Sequence, residues 1–155
     1  MGTSIQQVLA NARASGDWNL LTELVPFARF QGIRVQADGD QFSCLLPYDL
    51  KLIGNPTLPA LHGGAVGGFL ECTAMFYLLT HLDCTEMPKT INFTFEFLRS
   101  GRAQDTFAHV FMVKQGQRVV RLRIEAWQTN PDEPITVGYG SFMVSAPPAP
   151  EKTDE

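Results

Sequence analysis

Glu71 is a carboxylate set in a run that otherwise offers it almost no polar company. Ala65, Val66, Phe69, Leu70, Ala74, Met75, Phe76, Tyr77, Leu78, Leu79 and Leu82 surround it in sequence. Wound as a helix, these residues cover most of the circumference. A helix apolar all round is buried on most sides, and a glutamate there is almost never fully buried unless it is paired or used. Just before it stand Gly63 and Gly64. A helix start carries backbone N–H groups without intrahelical partners and the positive end of the dipole, and glycine puts no side chain in the way. Gly64 and Glu71 are seven residues apart and share one face, because each residue turns about 100°. Oxyanion-binding donors and an acid–base group on one face are the parts that acyl transfer needs.

These groups must be positioned by the rest of the chain. The central helix is expected to open within residues 61–71 and to continue to Leu82. Ahead of it, residues 4–14 carry Ile5, Val8, Leu9 and Ala12 at helical spacing with Ser4 as N-cap, and Gly16 breaks the pattern. Asp17 caps a short turn with Trp18, Leu20, Leu21 and Leu24, which Pro26 ends. Residues 27–35 read as a strand, Asp38-Gly39 as a hairpin turn and residues 41–46 as the returning strand. Residues 48–61, punctuated by Gly54, Pro56 and Pro59, read as a long loop. Three strand runs follow at 89–99, 104–114 and 117–128, and a last one at 135–145. Arg121 and Arg123 alternate with Val120, Leu122 and Ile124, as in a strand with one wet face. Antiparallel strand runs around one apolar helix imply an α+β fold. Residues 1–25 are expected as an N-terminal helical segment, 26–145 as the main domain and 146–155 as a disordered, proline- and charge-rich tail.

His62-Gly63-Gly64, with an acidic residue nine positions after the histidine, resembles the signature of the hotdog-fold thioesterases. The nearest group is that of the phenylacetic-acid-pathway (PaaI-like) and 4-hydroxybenzoyl-CoA thioesterases. Thr90 to Arg99 is similar to the family strand that ends in aromatic-Leu-Arg, and Asp105 falls near the family's Gly-Asp strand start. The resemblance runs roughly over residues 30–144. It implies a curved antiparallel sheet wrapped around one helix, a homodimer or homotetramer with a site shared between two subunits, an acyl-CoA substrate, and neither cofactor nor metal. It also implies that Glu71 is general base or nucleophile, that the Gly63 N–H polarises the thioester carbonyl, and that His62 orients the helix start. Gly64 belongs to the same substrate-facing turn.

Asn55 stands seven residues before His62, where the family often has an asparagine at six; here Pro56 holds that place. Asn92 and Thr94 lie on the strand where related enzymes put a polar group near the acid. Arg99, Arg102 and Arg118 are candidates for the coenzyme A phosphates, which arginine binds bidentately. The plainer alternatives are a structural carboxylate at a subunit interface, an Asn-Pro turn former and ordinary solvated arginines. Two other functions compete: a hydroxyacyl-thioester dehydratase or hydratase, whose histidine usually lies further ahead of the acid, and a non-catalytic acyl-thioester-binding module.

The chain has 155 residues, enough for one sizeable core, and a net charge of −4 without a basic block, which argues against nucleic acid as a partner. No signal peptide or membrane-spanning run is apparent, so neither a membrane nor export is expected. The three cysteines, Cys44, Cys72 and Cys84, have no metal-like spacing and read as buried reduced thiols of a cytoplasmic protein.

Overall fold

The computed structural model describes residues 2–145; the expected tail at 146–155 lies outside them. Helix α1 (Ile5–Ser15) starts where the Ser4 side chain accepts from the Gln7 N–H and ends at Gly16, whose φ of 72° is left-handed. A 3-10 turn (Trp18–Leu24) is capped by Asp17. Val8, Leu9 and Leu21 are buried in the same apolar cluster as the central helix, so this segment packs on the core.

Residues 27–35 are not one strand. Pro26 begins a second helix, α2 (Pro26–Gln31), because proline suits the first helical position, where its missing N–H has no intrahelical partner. Gly32 ends α2 with a φ of 76°. Strand β1 (Arg34–Asp38) then pairs with β2 (Gln41–Leu46) around Gly39. The stretch expected as a long loop holds a 3-10 turn (Leu50–Leu52) and a small hairpin of β3 (Ile53–Asn55) and β4 (Ala60–Leu61).

Helix α3 (Gly63–His81) follows, then β5 (Lys89–Phe97), β6 (Thr106–Gln115), β7 (Val119–Trp127) and β8 (Thr136–Met143). Six strands form one antiparallel sheet in the order β1-β2-β6-β7-β8-β5. Val120, Leu122 and Ile124 point from β7 to the core, while Arg121 and Arg123 take the outer face, as the alternation predicts. The core side of the sheet covers α3, whose Phe69, Leu70, Phe76, Leu78 and Leu79 are fully buried. Between residues 64 and 75 the positions that are not buried are Gly64, Gly68, Glu71 and Met75, one narrow stripe, with Ala65 beside it.

The two sheet edges differ. The 3-10 turn covers β1, and the Asn19 side chain accepts from the Val35 N–H at 2.8 Å. Strand β5 pairs with β8 on one side and with no described strand on the other. Among the described residues no helix is long and apolar enough to cross a membrane.

Candidate active site

The start of α3 is built by His62. Its backbone is extended, its Nδ1 accepts from the Gly64 N–H at 2.9 Å, and its carbonyl accepts from the N–H groups of Ala65 and Val66. Its own N–H donates to the Leu52 carbonyl at 2.8 Å. Gly54 makes this possible: a Cβ there would come within 2.7 Å of the His62 Cα. The imidazole is thus a cap, which fits an orienting role, and its Nδ1 must be unprotonated to serve as one. With Gly64 engaged by the cap, Gly63 keeps an N–H that meets no acceptor among the described residues. Gly63 rather than Gly64 is therefore the donor available to a ligand.

Glu71 lies two turns further on. It is half-buried, and its Oε1 accepts from the Thr90 hydroxyl at 2.6 Å. Helix α3 runs against β5: the Phe97 ring sits beside Gly63, the Phe95 ring beside Gly67, and Thr90 beside Glu71. The spacing that puts Gly64 and Glu71 on one face has a second consequence. At 1.5 Å rise per residue, Gly63 and Glu71 are about 12 Å apart along the axis. On that shared face the donor and the acid are therefore separated along the helix axis rather than side by side.

The other expected residues divide by face and by end of the sheet. Asn55 is exposed and its Oδ1 accepts from the Thr57 N–H at 3.0 Å, which is a local turn and not a contact with Gly63 or Glu71. Asn92 and Thr94 turn away from α3. The Asn92 Oδ1 accepts from the Ser141 N–H at 3.2 Å, and both line an outer-face hollow of about 210 Å³ with Arg121 and Tyr139. Arg99 donates to the Pro134 carbonyl at 3.2 Å and borders two adjoining hollows. One, of about 380 Å³, includes Gly63, Phe97 and Leu98. The other, of about 460 Å³, includes Arg102, Gln104, Gln128 and Asn130. Arg118 lies at the opposite end of the sheet, where its carbonyl accepts from Val144 N–H.

Thr90 is the partner that residue patterning misses. Simple alternation puts it on the side of Asn92 and Thr94. The register of β5 against β8 slips between Thr90 and Asn92, so Ile91 is a bulge and Thr90 turns inward. Cys72, beside Glu71, is buried. Burial and then the Glu71 charge push its thiol from the ordinary value near 9 up to about 12, so it is no nucleophile. Cys44 and Cys84 are also buried, free and pushed upward by burial. No group of three His, Cys, Asp or Glu side chains is gathered for a metal among the described residues.

Residues 58–135 match the family model described as the thioesterase superfamily. The match spans His62, Gly63, Glu71, Thr90 and Arg99. A protein of Chromobacterium violaceum shares 31% identity over 90% of this chain and 97% of its own, with a TM-score of 0.74. A phenylacetic-acid-degradation-related protein of Ralstonia eutropha, provisionally described as a thioesterase, shares 18% identity over 77% of this chain and 90% of its own, at a TM-score of 0.69. A Bacillus halodurans protein solved with CoA shares 19% identity over 92% of each chain, at 0.70; these two likenesses are of fold. No curated protein matches the chain.

Proposed function

This chain belongs to the thioesterase superfamily, whose family-level activity is thioester hydrolysis, and from that premise we propose that it hydrolyses acyl-CoA thioesters at a site shared between two copies of itself. The observation that carries the reading is the split along α3. A Gly63 N–H with no acceptor among the described residues stands at the helix start, and Glu71 follows eight residues later, about 12 Å further along the axis. Strand β5, which lies along both, is the edge of the sheet that no described strand covers. An unpaired edge is a template for another chain. A two-fold axis pairing β5 with the β5 of a second copy, antiparallel, sets the Phe97 end of one strand beside the Lys89 end of the other. Gly63 of one subunit then approaches Glu71 of the partner subunit, and each dimer holds two such sites. The functional unit is at least a homodimer.

In that site the carbonyl oxygen accepts from the Gly63 N–H, which grips it more tightly as it becomes an oxyanion. Glu71 takes a proton from water, and the water oxygen bonds to the carbonyl carbon. When the intermediate collapses, the C–S bond breaks, and the proton held by Glu71 goes to the departing thiolate. The products are a carboxylic acid and a free thiol. The exposed Phe97 and Leu98 beside Gly63 offer apolar surface to the acyl group. Coenzyme A as the thiol is supported by the adjoining polar hollow, where Arg99 and Arg102 suit its phosphates. The Bacillus halodurans protein that shares the fold was solved with CoA. Three free, buried thiols support a reducing compartment, the cytoplasm.

The test is complementation between inactive variants. Glu71→Gln and Gly63→Pro should each be nearly inactive alone against a panel of CoA thioesters, read by thiol release. Unfolded and refolded together, they form mixed dimers with one intact site. Random mixing should return about a quarter of wild-type turnover. No recovery from a mixture shown to contain heterodimers would sink the shared site. Equal turnover of CoA and simple pantetheine thioesters of one acid would remove the role of the arginine hollow.

A further inference from the structure

We propose that Thr90 is a positioning residue that gives the two oxygens of the Glu71 carboxylate different jobs. The inference rests on Glu71 being the base of the reaction above and says how that base is held. On β5, Thr90 faces Phe142 of β8 and Asn92 faces Ser141, so Ile91 is the extra residue of a bulge, and its side chain is half exposed. The bulge reverses the strand's alternation. Phe93, Phe95 and Phe97 face α3, Asn92 and Thr94 face outward, and Thr90 faces α3 again, across from Glu71. Bulges are a recurrent means of re-aiming one side chain beside an active site.

The re-aimed hydroxyl meets Glu71 Oε1 at 2.6 Å, the range of a charge-assisted O–H···O⁻ bond. The β-branched side chain of threonine holds χ1 stiffly, so the hydroxyl keeps its direction. Among the described residues nothing else donates to this carboxylate. Oε1 is thereby tethered, and Oε2 is the oxygen left to take the proton of the attacking water. Without the tether the carboxylate turns about its last torsion, which is broad for glutamate, and Oε2 loses its fixed aim. The bond acts on a charge, so its loss weighs more than that of a neutral pair.

Three full-length variants decide it, each assayed for kcat and KM on one CoA thioester and checked by thermal melting. Thr90→Val keeps the shape and β-branching and removes the hydroxyl. Its kcat should fall by about ten- to a hundred-fold, the effect of losing one hydrogen bond to a charged group, with KM near the wild-type value. Thr90→Ser keeps the hydroxyl and should restore most of kcat. An unchanged kcat in Thr90→Val, a loss that appears only in KM, or a serine variant as poor as the valine one would each overturn the positioning role. Glu71→Gln, run alongside, separates the two layers. If it is inactive while Thr90→Val is normal, Thr90 alone is wrong. If Glu71→Gln itself retains turnover, the base is wrong, and the role of Thr90 falls with it.

Discussion

The start and the middle of one helix reach chemical competence by different means. At the Gly63 end the working group is a backbone N–H, and everything around it acts by subtraction. Glycine leaves the donor open, the His62 imidazole occupies the neighbouring N–H of Gly64, and Gly54 lets the β3–β4 hairpin close against His62. At Glu71, in mid-helix, the working group is a side chain, and a specific partner is added to it: a threonine turned inward by a strand bulge. The first end is a local construction, readable within about a dozen residues. The second depends on a strand nineteen residues away in the chain. The oxyanion half should therefore tolerate changes in sheet register better than the base half.

The largest effect expected is at the base. Glu71→Gln preserves shape and can still accept from Thr90, but it cannot take a proton, so turnover should fall by ~10²–10⁴-fold. Substrate affinity and melting temperature should hold. Near-normal turnover in a destabilised protein would instead identify a structural carboxylate whose partner has been left uncompensated.

Next comes the donor. Proline fits the first position of a helix and follows well from the extended backbone of His62. Gly63→Pro should therefore fold while losing the N–H, and kcat should drop by about 10²–10³-fold, as for a missing oxyanion-hole donor. Gly63→Ala keeps the N–H, and its Cβ would meet the Phe97 ring at 3.4 Å, an ordinary contact. It should lose far less. Similar losses in the two variants would mean that crowding, not the donor, is what matters at this end.

The smallest effect separates capping from chemistry. His62→Ala removes the acceptor of the Gly64 N–H and should lower stability by about 0.5–2 kcal/mol, as for a lost N-cap, measured by denaturant unfolding. Since His62 acts on Gly64 and not on the substrate, turnover should fall only modestly. A loss as deep as that of Glu71→Gln would place a proton-transfer step on the imidazole.

The main features of the fold were legible because they rest on periodicity and composition. The all-round apolar α3, the alternation of β7 and the Ser4 and Asp17 caps are local facts about residue order. So is the glycine-rich helix start with its acid nine residues after His62. Pro26 shows the limit of such reading: the same residue ends one turn and begins α2, and residues 27–35 followed the helix until Gly32 released them. Asn55 shows another, since its side chain serves its own turn.

What residue order could not decide was which groups would meet. Periodicity placed Gly64 and Glu71 on one face but carried no notice that the rise of the helix sets Gly63 and Glu71 about 12 Å apart. Strand alternation, taken alone, groups Thr90 with Asn92 and Thr94. The bulge at Ile91 exists only because β5 is paired with β8, and it sends Thr90 to Glu71 and the other two outward. Arg99 and Arg118 looked equivalent until the antiparallel order put them at opposite ends of the sheet. Helical and strand periods are properties of the local backbone and survive in the sequence; register, separation and end-to-end placement come from pairing between distant segments and exist only in the folded chain.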